Sequence, residues 1–191
     1  MSDRSRFLLA TLCGLVLAGI VHLTAVLAMP WLSERDAFSR LRATMTADKS
    51  ELVAAPASTD TWLPQPDPAV AVAACAYNLD EGPVRISAQT GPLFESLSFH
   101  ARGGGVFFAI TDRAAIRGAL DLVVMTRRQL DEALAAEDED EPSRDVRIVA
   151  PQREGLVIVR ALAAFPSLRE EAERAAKSVS CTIDQPEAVT R

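Results

Sequence analysis

From Phe7 to Met29 the chain reads FLLATLCGLVLAGIVHLTAVLAM, without one formally charged residue. At about 1.5 Å of rise per helical residue, such a run can cross a hydrocarbon core of about 30 Å. The pattern predicts a transmembrane helix over residues 7–29, preceded by a short basic head at 1–6 that carries Arg4 and Arg6. Pro30 ends the apolar run, and Trp31 beside it suits the head-group layer. His22 inside the span reads as a tolerated polar group near a helix end rather than a proton relay. The rival reading is a signal peptide cleaved after Val26-Leu27-Ala28, but the run exceeds the roughly 7 to 15 residues of a signal core, which favours an uncleaved anchor. Arg35, Arg40 and Arg42 beyond the span balance the arginines ahead of it, so charge alone leaves orientation open. A short basic head is usually retained in the cytoplasm, which favours export of the remaining chain.

Residues 30–68 read as a juxtamembrane helix followed by a linker. Ser33 and Asp36 offer a capping pair, and Phe38, Leu41 and Met45 share one helical face. From Thr46 to Pro68 the composition turns to Ala, Pro, Ser, Thr and Asp, and Pro64, Pro66 and Pro68 exclude a regular helix or central strand.

Residues 69–181 carry strand patterns. AVAVAACAYNL, then Asp80-Glu81-Gly82-Pro83, then VRISA predicts a first hairpin. LFESLSFHA, the turn Arg102-Gly103-Gly104-Gly105, and VFFAI predict a second. Thr111 and Asp112 are expected to cap a short turn before the strand LDLVVMT. Thr126 and Gln129 form a capping box for a helix from Arg127 to about Ala136, closed by the acidic run Glu137–Glu141 and Pro142. DVRIVA and GLVIVRALAAF supply two last strands around the Pro151–Glu154 turn. Ser167 and Glu170 form a second capping box for a helix to about Ser178, and residues 182–191 read as a flexible tail. The expected fold is therefore mainly β (α+β): an N-terminal transmembrane helix plus a largely antiparallel β-sandwich or partly open barrel with two short helices.

Net charge of −6 and a pI near 5.0 leave no basic field for nucleic acid. With two histidines and no CxxC or Cys/His cluster, neither a zinc site nor any other metal or cofactor site is indicated. The acidic run lacks the spaced ligands and central glycine of a calcium loop. Polar candidates for chemistry reduce to His100, Arg102 and Asp112, whose convergence on one hairpin is doubtful because Asp112 falls at its far end. Gly103, Gly104 and Gly105, with Arg102, form the candidate binding loop, and one of Phe107 and Phe108 is expected to face out of the strand. In an exported domain Cys75 and Cys181 can pair, closing a loop whose chain-entropy contribution is about 4 to 5 kcal/mol.

The anchor, AACAYNLDEGPVRISA, LFESLSFHARGGGVFFAITDRAA, the LDLVV strand and the late cysteine together resemble a bacterial family. It comprises the small membrane-anchored alphaproteobacterial proteins with a domain of unknown function, the family numbered 1254 and its relative 1214. The resemblance implies an inner-membrane anchor, an exported β-rich domain and a related sister membrane protein as partner; it carries over no functional residue. The glycine triplet departs from the more polar turn expected of the family. The resulting expectation is a non-enzymatic envelope protein, bound to the bilayer through residues 7–29, whose exported domain binds a partner protein or envelope component. The alternative is a hydrolase-like envelope enzyme around His100, Arg102 and Asp112.

Overall fold

The computed structural model describes residues 3–32, 37–44, 48–103, 105–136 and 145–184. The Ser33 cap, Met45, Gly104, the acidic run with Pro142, the chain from 185 onward and the Trp31 side chain lie outside what it describes. The chain divides into two compact units, residues 1–36 and 37–191. The first contains α1 (Asp3–Leu32), of which the 27 residues Asp3–Met29 include an 18-residue stretch of mean hydropathy 2.3 and are long and apolar enough to cross a membrane. Its threonine hydroxyls are satisfied within the helix, Thr11 donating to the Phe7 carbonyl at 3.0 Å and Thr24 to that of Ile20 at 2.8 Å.

The second unit contains α2 (Ala37–Thr44), β1 (Glu51–Ala54), β2 (Val70–Asn78), β3 (Val84–Gln89), β4 (Glu95–Ala101), β5 (Val106–Thr111), β6 (Ala119–Met125), α3 (Arg127–Ala136), β7 (Val146–Val149), β8 (Glu154–Leu162), α4 (Arg169–Ser178) and β9 (Ser180–Ile183). The strands form a five-stranded sheet, β1-β2-β8-β4-β5, and a four-stranded sheet, β7-β6-β3-β9. They stack as a sandwich and do not close into a barrel. Strand alternation turns Ala71, Ala73, Cys75 and Tyr77 of β2, and Val157 and Val159 of β8, onto Val84 and Ile86 of β3 and Leu120 and Leu122 of β6. Cys75 and Cys181 are disulfide-bonded, Cα to Cα 6.6 Å, and tie β2 of one sheet to β9 of the other. On the outer face of the smaller sheet Arg85 pairs with Asp121 and Asp184 at 2.9 and 2.8 Å and with Asp145 at 3.5 Å, clamping neighbouring strands.

Several expectations need correction. β2 and β3 are not a hairpin: β2 pairs with β1 and β8, β3 with β6 and β9, so Asp80–Pro83 carries the chain from one sheet to the other. The supposed linker belongs to the domain. Phe38 and Leu41 of α2 are buried against Ala74 and Leu156, and β1 extends the larger sheet beyond β2. The sheets are largely antiparallel, as expected, with one parallel pair, β6 and β7, for which α3 is the crossover. The Thr126–Gln129 box forms reciprocally, Thr126 N–H donating to Gln129 Oε1 at 2.8 Å and Gln129 N–H to Thr126 Oγ1 at 3.2 Å. The Ser167 box does not, because Pro166–Leu168 adopts a 3-10 turn and α4 then starts at Arg169 behind an uncapped Leu168. Thr111 likewise makes no side-chain cap. Thr182 and Ile183, expected in the tail, pair with β3 as part of β9.

Candidate functional site

On β4 the buried residues Leu97, Phe99 and Ala101 share one parity, so Ser98 and His100 face outward, away from the sandwich core. The neighbouring β8 turns Leu156, Ile158 and Arg160 to the same outer face, and β2 adds Val72. α2 covers part of this face, and the segment Trp62–Asp67 stands beside it, turned by Gln65 at φ +55° and stiffened by Pro64 and Pro66. Between them lies a groove of about 520 Å³, walled by Leu41, Val53, Trp62, Val72, Leu156 and Ile158 and polar at His100 and Arg160. The Arg160 guanidinium donates to Ser98 Oγ at 2.9 Å, and Ser98 Oγ lies 3.1 Å from His100 Nε2. Burial, and then the positive charge of Arg160, hold the His100 pKa below its ordinary value. The Ser98 hydroxyl also donates to the Ile158 carbonyl at 3.5 Å, so its contact with the neutral ring suits either tautomer of His100.

The three candidate groups do not converge. Arg102 faces α2: it pairs with Glu154, which also pairs with Arg42 at 2.7 Å, and its guanidinium sits 5.0 Å from the Phe38 ring centre. It is a clamp between the β4–β5 turn and α2. Gly103 takes φ +66° in that turn, which favours glycine there. Phe107 and Phe108 are both half-buried, with ring centres 6.3 and 5.6 Å from that of Phe99, so neither is the exposed anchor expected of this strand. A bulge between Phe99 and His100 lets both rings reach the same partner.

Asp112 lies at the other end of the hairpin, beside Glu95, a residue the sequence reading passed over. Ser96 pairs with Thr111, which places the next residues outward along the ladder, Glu95 and Asp112, side by side. Glu95 is 2% exposed while its neighbour Phe94 is 46% exposed, the reverse of the usual preference. Glu95 Oε1 and Asp112 Oδ1 are buried and lack hydrogen-bond partners among the described residues. Burial, and then the Asp112 charge, push the Glu95 pKa up to about 7. Because the folded chain holds this proton more tightly than the unfolded one, the contribution is fully present below the unfolded pKa near 4.5 and is lost as pH rises through about 7. The loss is on the order of 3 kcal/mol. Glu95→Gln is therefore expected to flatten the fall in melting temperature between pH 5 and pH 8.5; an equally steep fall in the variant would remove Glu95 as its source.

A serine hydroxyl within reach of an imidazole is the start of a nucleophile–base pair, yet Ser98 is 8% exposed and its oxygen already accepts the Arg160 proton. No carboxylate is seen to orient His100 among the described residues, and no group of three or more His, Cys, Asp or Glu side chains there is placed to hold a metal. What the groove offers is an apolar trough with one cation, one neutral imidazole and, at its exposed rim, the carboxylate of Asp67.

No family model and no curated protein matches the sequence. Among solved structures the chain is similar to the VPA0106 protein from Vibrio parahaemolyticus, with a TM-score of 0.50 at 10% identity over 78% of this chain. It is also similar to an uncharacterised protein from Burkholderia cenocepacia, TM-score 0.46 at 9% identity over 94% of this chain. The chain spans 35% of the length of the Vibrio protein and 53% of that of the Burkholderia protein. The Vibrio likeness supports the fold alone.

Proposed function

We propose that the protein is a single-pass membrane protein whose exported β-rich domain is a non-enzymatic binding module for an envelope component or a partner protein, the related sister protein among them. The observation that carries this reading is the groove on the outer face of the larger sheet, where an apolar trough with few polar groups matches what ligand sites need. The enzyme reading is weaker because His100 and Asp112 belong to opposite ends of the hairpin and Arg102 is held by Glu154. Anchoring rests on the length and apolarity of α1, and the exported side on the Cys75–Cys181 bond, since disulfides persist in oxidising compartments.

The test uses the full chain in its own membranes, with a photo-reactive side chain at Val72 in the groove or at exposed Ala109 on β5. After a carbonate wash the protein is expected in the pellet. Irradiation is expected to give a discrete adduct from position 72 that disappears when Ile158→Trp fills the groove, and none from position 109. Release by carbonate would overturn the anchor. Absence of a groove-dependent adduct would overturn the binding reading.

A further inference from the structure

The polar end of the groove narrows what it can hold. Arg160 carries five N–H donors and gives one to Ser98; no carboxylate among the described residues lies within ion-pair distance of it. The other arginines near this face are engaged differently: Arg102 and Arg42 share Glu154, and the Arg40 guanidinium lies 5.6 Å from the Trp62 ring centre. Asp67, at the exposed rim, is turned to the backbone and accepts from the Ala69 N–H at 2.8 Å. A guanidinium left without a carboxylate beside an apolar trough is complementary to an anion that brings its own hydrocarbon.

We infer that the groove binds a free fatty acid, its carboxylate against Arg160 and its single chain along Val72, Leu156 and Ile158. This rests on the groove being the binding surface. His100, neutral, adds a hydrogen-bonding group at the polar end without adding charge. The volume, about 520 Å³, falls in the lower half of the roughly 300 to 1,000 Å³ usual for small-ligand sites, which suits one chain better than a two-chain phospholipid. Trp62 on the wall makes occupancy visible.

The full chain carrying Trp31→Phe, which leaves Trp62 as the sole tryptophan of the two, is reconstituted in phosphatidylcholine nanodiscs and titrated with laurate. A saturable blue shift of Trp62 emission is expected. Arg160→Gln should weaken it roughly tenfold, as for loss of a charge-assisted contact, while Arg160→Lys retains most of it. A dodecyl trimethylammonium salt, the same chain with the opposite charge, should give no saturable shift. Equal response to the two amphiphiles, or an Arg160→Gln titration that overlays the parent, overturns the proposal. So does a shift produced by phosphatidylglycerol in the disc without added laurate, which would assign the site to a bilayer lipid. If laurate fails while the Val72 adduct still forms in membranes, the groove remains a binding surface and only the ligand class falls.

Discussion

Replacing Cys75 and Cys181 together by alanine is expected to lower the unfolding free energy of the domain by about 4 kcal/mol. The bond closes a loop spanning 106 positions, and in the chain-entropy account a cross-link over about 100 residues contributes about 4.7 kcal/mol, less whatever structure the reduced unfolded chain retains. The loss should not spread evenly. β9 has four residues, pairs with β3, and reaches the rest of the domain through backbone bonds such as Cys181 N–H to the Asp48 carbonyl. α4 leads directly into it and buries Ala172 and Ala176 against the core. Without the bond, α4 and β9 become the segment least held by long-range constraint, so their amides should exchange first. The measurements are a denaturant midpoint followed by Trp62 emission, with wild type oxidised and reduced as the reference pair, and amide exchange read segment by segment. An unchanged midpoint in the double variant would show that the cross-link does not constrain the unfolded chain.

Period-two alternation made the strands legible but not their partners. In VRISA every second residue is buried, and in AVAVAACAY Ala71, Ala73, Cys75 and Tyr77 meet the core while Ala74 is buried on the other face beneath α2. That pattern states which face meets the core and is equally compatible with two strands side by side or two strands facing across it. Asp80-Glu81-Gly82-Pro83 can make either connection, and the crossing is decided by β8, more than seventy residues further along, which takes the place beside β2. The proline-rich stretch misled for a related reason. Pro64 and Pro66 do exclude a strand where they stand, yet composition averaged over 46–68 hid Glu51–Ala54, a strand too short to register. The prolines prove to be a wall of the groove.

The same parity rule explains what happened at the site. His100 lies on the outward parity of β4, and Glu95 on the inward one set by Leu97 and Phe99, so the strand itself draws a carboxylate into the core. Reading a glutamate as buried and the adjacent Phe94 as exposed runs against residue preference, and nothing local compensates; Asp112, which the hairpin sets beside it, adds like-charge repulsion rather than a partner. Arg160 was missed because its position in GLVIVRAL marks only the polar face of a strand. Its significance comes from Ser98 and His100 on the neighbouring strand and from the absence of a facing carboxylate among the described residues.

Gly155→Ala is expected to be among the most damaging single substitutions in the domain, for a reason the sequence does not display. Gly155 pairs with Tyr77 on one side and Ala101 on the other, where the bulge at Phe99 and His100 distorts the ladder. A Cβ there would run into the His100 carbonyl oxygen and the Tyr77 phenol, closer than any real Cβ contact allows. The ring can shift, but the carbonyl belongs to the backbone of a central strand. Tyr77 is 2% exposed, its hydroxyl donates to that same carbonyl at 3.4 Å, and burial pushes its phenol pKa up. The added methyl therefore forces either the β4–β8 ladder apart or the phenol out of its place, at about 3 kcal/mol as for severe overpacking. Tyr77→Phe alone, which loses one long hydrogen bond, should cost about 1 kcal/mol. Combining Gly155→Ala with Tyr77→Ala should cost less than the sum of the two single changes, because the ring half of the clash is gone, while the carbonyl half persists. Strict additivity in that cycle would mean that Tyr77 does not meet the new methyl, and a Gly155→Ala protein as stable as wild type would mean that β4 and β8 do not approach as closely at this point as the structure has them.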